Sequence, residues 1–232
     1  MFLGTLLNSL ISLIIPIHCI KCSIEGHILC TTCQNYFRDS PELQPIASGI
    51  RSSSGTFVLG SHLPFSDVVS KVVLGAKDDG NKLLEQIVVE SLLKARTIFR
   101  SDLILVPIPS SRSSLRRRGR DFAQDIADAL SRSSGDLVIP ALTCRKKVVP
   151  QKTLTASSRI TNMQGALAMR LDLPTQTEKL LLSKDILLVD DVVTTGATLR
   201  EGSRALTSGG AHCLGGISAA YSPDWSIGRA AH

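Results

Sequence analysis

Aromatic side chains are scarce in this chain: one Trp, two Tyr and six Phe in 232 residues. Proteins that hold single-stranded nucleic acid usually stack bases on aromatic rings, so the scarcity argues against a dedicated strand-binding surface. No Lys or Arg precedes Lys21, which removes the charged start of a secretory signal. The apolar run over residues 1–17 is broken by Asn8, Ser9 and Ser12, and it is shorter than a membrane span requires. His18, not a small residue, precedes Cys19, so a lipoprotein anchor is a poor fit. Leu3, Leu6, Leu7, Leu10 and Ile14 follow helical spacing and predict an amphipathic helix docked on the protein, with a membrane-surface or export role as the other reading. The expectation is a cytoplasmic chain with no transmembrane segment. Internal repeats and collagenous, coiled-coil or low-complexity signatures are also absent from the sequence.

What is present suits one α/β domain with a small appendage. Apolar residues make up 43%, enough for a core, and 26 basic against 20 acidic residues leave a net charge of +6. That excess is mild and unevenly placed.

The most ordered stretch is residues 186–199, ILLVDDVVTTGATL. Ile186, Leu187, Leu188 and Val189 read as a buried strand, closed by Asp190 and Asp191. Thr194, Thr195, Gly196, Ala197 and Thr198 then make a small hydroxyl-rich loop before a helix over residues 199–206. Open α/β sheets bind ligands at the carboxyl ends of their strands. Backbone N–H groups, threonine hydroxyls and a helix N-terminus suit a phosphate, and Gly196 permits close approach or a positive φ. The two acids suit ribose hydroxyls, or a magnesium ion that a phosphate shares. The bland alternative is an ordinary strand–turn–helix with an exposed acidic pair.

A second strand, residues 103–106, ends in Pro107-Ile108-Pro109 and leads into Arg112, Arg116, Arg117, Arg118 and Arg120, five arginines in nine residues. Guanidinium forks match phosphate and pyrophosphate oxygens, whereas an isolated charge run is more often a solvated turn. Near the N-terminus, Cys19-x-x-Cys22 and Cys30-x-x-Cys33 form two knuckles within fifteen residues. Facing knuckles complete a tetrahedral thiolate site for structural zinc. Two disulfides are the alternative in an oxidising compartment. With four thiolates on zinc the site carries about −2, and the net charge falls near +4. Cys144 and Cys213 read as buried or idle thiols.

The expected organisation is an N-terminal helix and four-cysteine module over residues 1–39 and a Ser/Pro/Gly-rich linker over 40–55. A main domain over 56–221 and a disordered tail over 222–232 follow. Within the domain, strands are expected at 56–59, 138–142 and 214–220, and helices at 65–74, 82–97 and 121–130. Residues 180–183 read as part of the motif strand or a turn into it. The fold class is α/β, with a mostly parallel central sheet flanked by helices.

The run over residues 186–199 resembles the PRPP-binding motif of type I phosphoribosyltransferases. By that resemblance Asp190 and Asp191 hold the ribose 2′- and 3′-hydroxyls, and Thr194 to Thr198 wrap the 5′-phosphate. The cysteine knuckles, the Val106-Pro107-Ile108-Pro109 strand end, the arginine run and Pro150-Gln151-Lys152-Thr153-Leu154 with Arg159, Asn162 and Gly165-Ala166 together resemble the ComF family. That family commonly carries Gly-Phe-Asn-Gln after the arginines; here the chain reads Gly119-Arg120-Asp121-Phe122-Ala123-Gln124. The resemblance implies a cytoplasmic protein linked to competence and DNA uptake. Three functions follow from it: magnesium-dependent phosphoribosyl transfer from PRPP, a non-catalytic adaptor for single-stranded DNA or DNA-uptake proteins, or a PRPP or nucleotide sensor.

Overall fold

The computed structural model describes residues 17–52, 55–100, 102–145 and 163–222. The N-terminal apolar helix, Pro150 to Leu154, Arg159, Asn162 and all but the first residue of the expected tail lie outside them. Elements run in the order α1 (Thr31–Asp39), β1 (Ile46–Ser52), β2 (Gly55–Pro64), α2 (Asp67–Lys77), α3 (Lys82–Arg96), β3 (Ile104–Pro107), α4 (Arg112–Arg118), α5 (Phe122–Ser134), β4 (Leu137–Val138), β5 (Leu142–Cys144), β6 (Leu167–Met169), α6 (Thr175–Ser183), β7 (Ile186–Val193), α7 (Ala197–Ser208) and β8 (Cys213–Tyr221).

The main sheet has six strands in the order β1-β2-β8-β7-β3-β4. Only the β1–β2 edge pair is antiparallel; β2, β8, β7, β3 and β4 run parallel. Both faces are covered, and the side-chain alternation shows it. Leu105, Leu187, Val189 and Ile217 pack with Val72, Ile87, Leu92, Phe122 and Ile126 of α2, α3 and α5. Ile104, Val106, Ile186 and Leu188 pack with Leu181, Leu199 and Leu206 of α6 and α7 on the other face. A strand buried on both sides reads as an unbroken apolar run, which is why residues 186–189 are legible as a central strand.

Local signals set the helix starts. The Asn81 side chain accepts the Leu83 and Leu84 N–H groups at 3.1 and 3.2 Å, and the Ser66 hydroxyl accepts the Val69 N–H at 3.3 Å. Both are N-caps that satisfy otherwise orphaned donors. Gly75 lets α2 close on α3: a Cβ there would lie 2.5 Å from a methyl of Leu84.

Several elements depart from the expectation. The acidic pair lies inside β7, which continues through Val192 and Val193 because its pairing with β8 runs on to Ala220 and Tyr221. Residues 46–52, read as linker, pair along their length with β2. The strand expected over 138–142 is two short strands in different sheets, separated by Pro140, which has no N–H for a ladder. Residues 180–183 end helix α6, whose Glu, Lys and Leu side chains favour helix.

The arginine run is helical, not a turn. Ser111 caps α4 by accepting the Ser114 N–H at 3.2 Å. Gly119, at φ 70°, ends it in the left-handed conformation.

The cysteine module is part of the same body. Leu29, Cys33, Phe37 and Leu43 belong to one continuous core with Ile87, Val88 and Leu92 of α3. Arg38 pairs with Glu90 at 2.8 Å, and Lys94 donates to the Arg38 carbonyl. Among the described residues, no helix is long and apolar enough to cross a membrane.

Candidate functional site

The carboxyl ends of β3 and β7 open on a cleft of about 740 Å³. One wall carries Asp190, Asp191 and the loop from Thr194 to Thr198. The other carries Pro109, Ser110, Ser111, Arg117 and Arg118, with Lys77 and Phe122 between them. Parallel strands deliver both loops to the carboxyl end of the sheet, which is where such sheets bind ligands.

Asp190 and Asp191 are held by the strand and by each other. The Asp191 N–H donates to Asp190 Oδ1 at 2.9 Å, and Lys77 Nζ donates to Asp191 Oδ2. Burial and the neighbouring Asp191 charge raise the Asp190 carboxyl well above the usual carboxylate range. Burial also pushes Asp191 upward, but the Lys77 ammonium overcomes it and holds Asp191 low. Burial works against the charge on Lys77, and the two carboxylates more than restore it. The site therefore holds one firm negative charge, one carboxyl prone to bind a proton, and one cation between helix and strand.

The loop is shaped by Gly196, which sits at φ 69° as the N-cap of α7. Few L-residues adopt that conformation cheaply. The Ala197 N–H donates to the Thr195 hydroxyl at 3.3 Å. Arg200 reaches back with Nη2 to the Thr195 carbonyl at 2.7 Å. The loop is thus pinned from below, and the first turn of α7, Ala197 to Leu199, lines the cleft, the placement of a helix start at many anion sites.

The arginines divide. Arg117 and Arg118 line the cleft and both reach Asp78, Arg118 Nε at 2.5 Å and Arg117 Nη2 at 3.5 Å from the same oxygen. Arg120 turns away to Glu85 at 2.7 Å and Asp125 at 3.0 Å. Arg112 lines a neighbouring cleft of about 550 Å³, and Arg116 is exposed. Sequence reading missed Lys77, Asp78, Ser110 and Arg200. Lys77 and Asp78 close an otherwise ordinary amphipathic helix, and only its packing in the fold brings Lys77 to the acids and Asp78 to the arginines.

The four cysteines converge at a place that does not line the cleft. All four sulfurs lie within 4.8 Å of one another, and Cys22 and Cys30 Sγ are 3.6 Å apart. Thiolates about 2.3 Å from a tetrahedral zinc stand about 3.8 Å apart, so the donor set fits that metal. The first knuckle turns at Ser23, with its N–H on the Cys19 carbonyl at 2.9 Å. The second lies at the start of α1, where Cys30 is the N-cap. Burial raises the Cys19 thiol, but N–H groups of Cys22, Cys30 and Lys21 outweigh it and bring it down to about 6, which favours a metal-binding thiolate.

A family model for the phosphoribosyl transferase domain matches residues 95–224. No curated protein matches the chain. The matched span contains both walls of the cleft except Lys77, and it excludes the cysteine module.

Proposed function

The chain belongs to the phosphoribosyl transferase domain family, and on that premise we propose that the cleft binds PRPP with magnesium. The observation that carries the reading is the placement of Asp190–Asp191, the Gly196 loop and Arg117–Arg118 around one cavity. In this reading the loop from Thr194 to Thr198 and the α7 N-terminus take the 5′-phosphate. Asp190 and Asp191 take the ribose hydroxyls and the magnesium ion that the phosphates share, and Arg117 and Arg118 face the pyrophosphate. Magnesium, when bound, supplies positive charge to the departing pyrophosphate oxygens. The bond from ribose C1 to pyrophosphate breaks, pyrophosphate keeps the electron pair, and a nitrogen nucleophile bonds to C1. Charge moves from sugar to pyrophosphate, so fixed arginines and carboxylates lower the barrier by electrostatics.

The four-cysteine module ahead of this domain supports a finer placement in the ComF group, with a zinc structural role and an association with DNA uptake. Arg112 and Arg116, both exposed and in no ion pair among the described residues, are the arginines of the run available to single-stranded DNA phosphates there. Calorimetry with PRPP and Mg²⁺ tests the ligand. The expected result is 1:1 binding, abolished in Asp190→Asn/Asp191→Asn; equal binding by that variant overturns the reading. Incubation with labelled PRPP and a panel of bases and amines then separates a transferase, which releases pyrophosphate, from a sensor, which releases none.

A further inference from the structure

The last residue of α2 and its C-cap, consecutive in sequence, reach the two halves of the cleft with opposite charges. Lys77 places its ammonium on the Asp191 carboxylate. Asp78 places its carboxylate on Arg118 Nε at 2.5 Å and on Arg117 Nη2 at 3.5 Å. Each half thereby faces one fixed counter-charge from α2.

We propose that Lys77 and Asp78 are built-in placeholders for a magnesium–pyrophosphate group: the ammonium occupies the cation position on the acids, and the carboxylate occupies the anion position in the arginine fork. Ligand binding is then an exchange of ion pairs, not a simple filling of an empty charged site. This rests on the PRPP reading of the cleft and adds to it the order of events. The incoming cation displaces Lys77 from Asp191, and the incoming pyrophosphate displaces Asp78 from Arg117 and Arg118.

The geometry favours exchange over a permanent scaffold. Arg118 is 10% exposed and Asp191 12%, while their partners Asp78 and Lys77 are 37% and 24% exposed. In these two pairs the member on α2 is the more exposed and has solvent to retreat into; Arg117, 67% exposed, holds Asp78 only at the rim. The Asp78 side chain is an acceptor only, so it uses donors of the arginine fork that a phosphate oxygen would need. The device also resolves an electrostatic difficulty. Two adjacent arginines and two adjacent acids left unpaired at one partly buried site are each costly. The exchange keeps them paired in both states, and a ligand carrying only one of the two charges displaces only one placeholder.

The competing view is that Asp78 orients Arg118 for the anion and stays in place, in the manner of an outer-sphere partner. The two views predict opposite signs. Inorganic pyrophosphate is titrated into the full-length protein, wild type and Asp78→Asn, by calorimetry without metal. Asp79→Asn serves as the charge-matched control, since Asp79 forms no ion pair among the described residues. Exchange predicts that Asp78→Asn binds pyrophosphate about three- to tenfold more tightly, the scale of a part-buried ion pair that no longer has to open. Asp79→Asn should bind less than twofold more tightly by general charge alone. Weaker or unchanged binding in Asp78→Asn overturns the proposal, as does an equal gain in Asp79→Asn.

The second arm titrates Mn²⁺, followed by water proton relaxation, into wild type and Lys77→Met. Exchange predicts about tenfold tighter metal binding once the ammonium is gone; unchanged or weaker binding overturns it. Thermal melts of both variants establish that they fold. Wild-type PRPP affinity is measured in the same series: its absence removes the PRPP reading, whereas intact PRPP binding with the wrong sign in the variants removes only the exchange.

Discussion

Glu201 of α7 accepts the backbone N–H of Leu167 in β6 through Oε1 at 3.2 Å. Arg204, one turn later on the same helix, donates to the Leu167 carbonyl at 3.0 Å and to Glu201 at 2.7 Å. One residue of the small β5–β6 sheet is therefore held on both polar backbone atoms by a single helical pair. The helix that carries the Gly196 loop is thus fastened to the small sheet beside the cleft. Glu201 is 5% exposed, so its removal leaves the buried Leu167 N–H without its acceptor and Arg204 without its ion-pair partner. Glu201→Ala is expected to lower unfolding free energy by about 2–4 kcal/mol. Hydrogen exchange should show the Leu167 amide losing protection before the β7 amides. Full protection at Leu167 in this variant would show that the pair does not hold the sheet.

Arg96 and Asp136 form a two-pronged pair, Nε to Oδ2 at 2.7 Å and Nη2 to Oδ1 at 2.8 Å. Asp136 also accepts the Leu103 N–H at 3.3 Å, which ties the end of α3 to the start of β3. Burial raises the Asp136 carboxyl, but the Arg96 hydrogen bonds outweigh it and hold it below the usual carboxylate range. A carboxyl depressed in the fold adds stability that is complete above its unfolded value. That stability is lost as pH falls through the folded value. Asp136→Asn is expected to cost about 3 kcal/mol at pH 7. In urea titrations the gap from wild type should narrow only below about pH 4. A gap that stays constant to pH 2.5 would rule out the charged pair as its source.

Because Leu29, Phe37 and Leu43 share a core with Ile87, Val88 and Leu92, the cysteine module cannot melt without exposing apolar surface of the main domain. Metal analysis of purified protein should return one zinc per chain. Stripping it with a chelator should shift a single calorimetric transition downward and not add a separate early one. Cys30→Ser should do the same through the lost sulfur alone, since Cys30 makes no side-chain cap and serine is a good N-cap for α1. Two resolved transitions would show that module and domain unfold independently, against the shared core.

The strand–loop–helix over residues 186–199 was legible because its information is local: four buried apolar residues, two acids, a glycine and a helix start. The knuckle spacing of the four cysteines was legible for the same reason. What escaped the sequence depends on distant partners. The α4 helix holds four arginines that should repel, and Asp78, from the end of a different helix, offsets two of them, Arg117 and Arg118. β1 is Ser- and Gly-containing and is a strand because β2 offers a register, not because its side chains demand one. Lys77 enters the site only through the packing of α2 against the sheet. Asp190 and Asp191 were read as lying beyond the strand, because nothing before pairing with β8 marks Val192 and Val193 as its last residues.

Gly196 supplies the sharpest test of the phosphate loop. Its φ of 69° costs an L-residue about 1–2 kcal/mol, and relief requires the loop to move. Gly135, at φ 78° with no atom within 4 Å of an added Cβ, caps α5 and does not line the cleft. Gly135→Ala and Gly196→Ala should therefore lose similar stability, about 1 kcal/mol each in urea titration. Their effect on ligand should differ. Gly196→Ala is expected to weaken PRPP by more than about tenfold, because backbone N–H groups that must converge on one phosphate are turned aside. Gly135→Ala should leave PRPP affinity within about twofold of wild type. If both variants bind PRPP alike, the phosphate does not sit in the Gly196 loop.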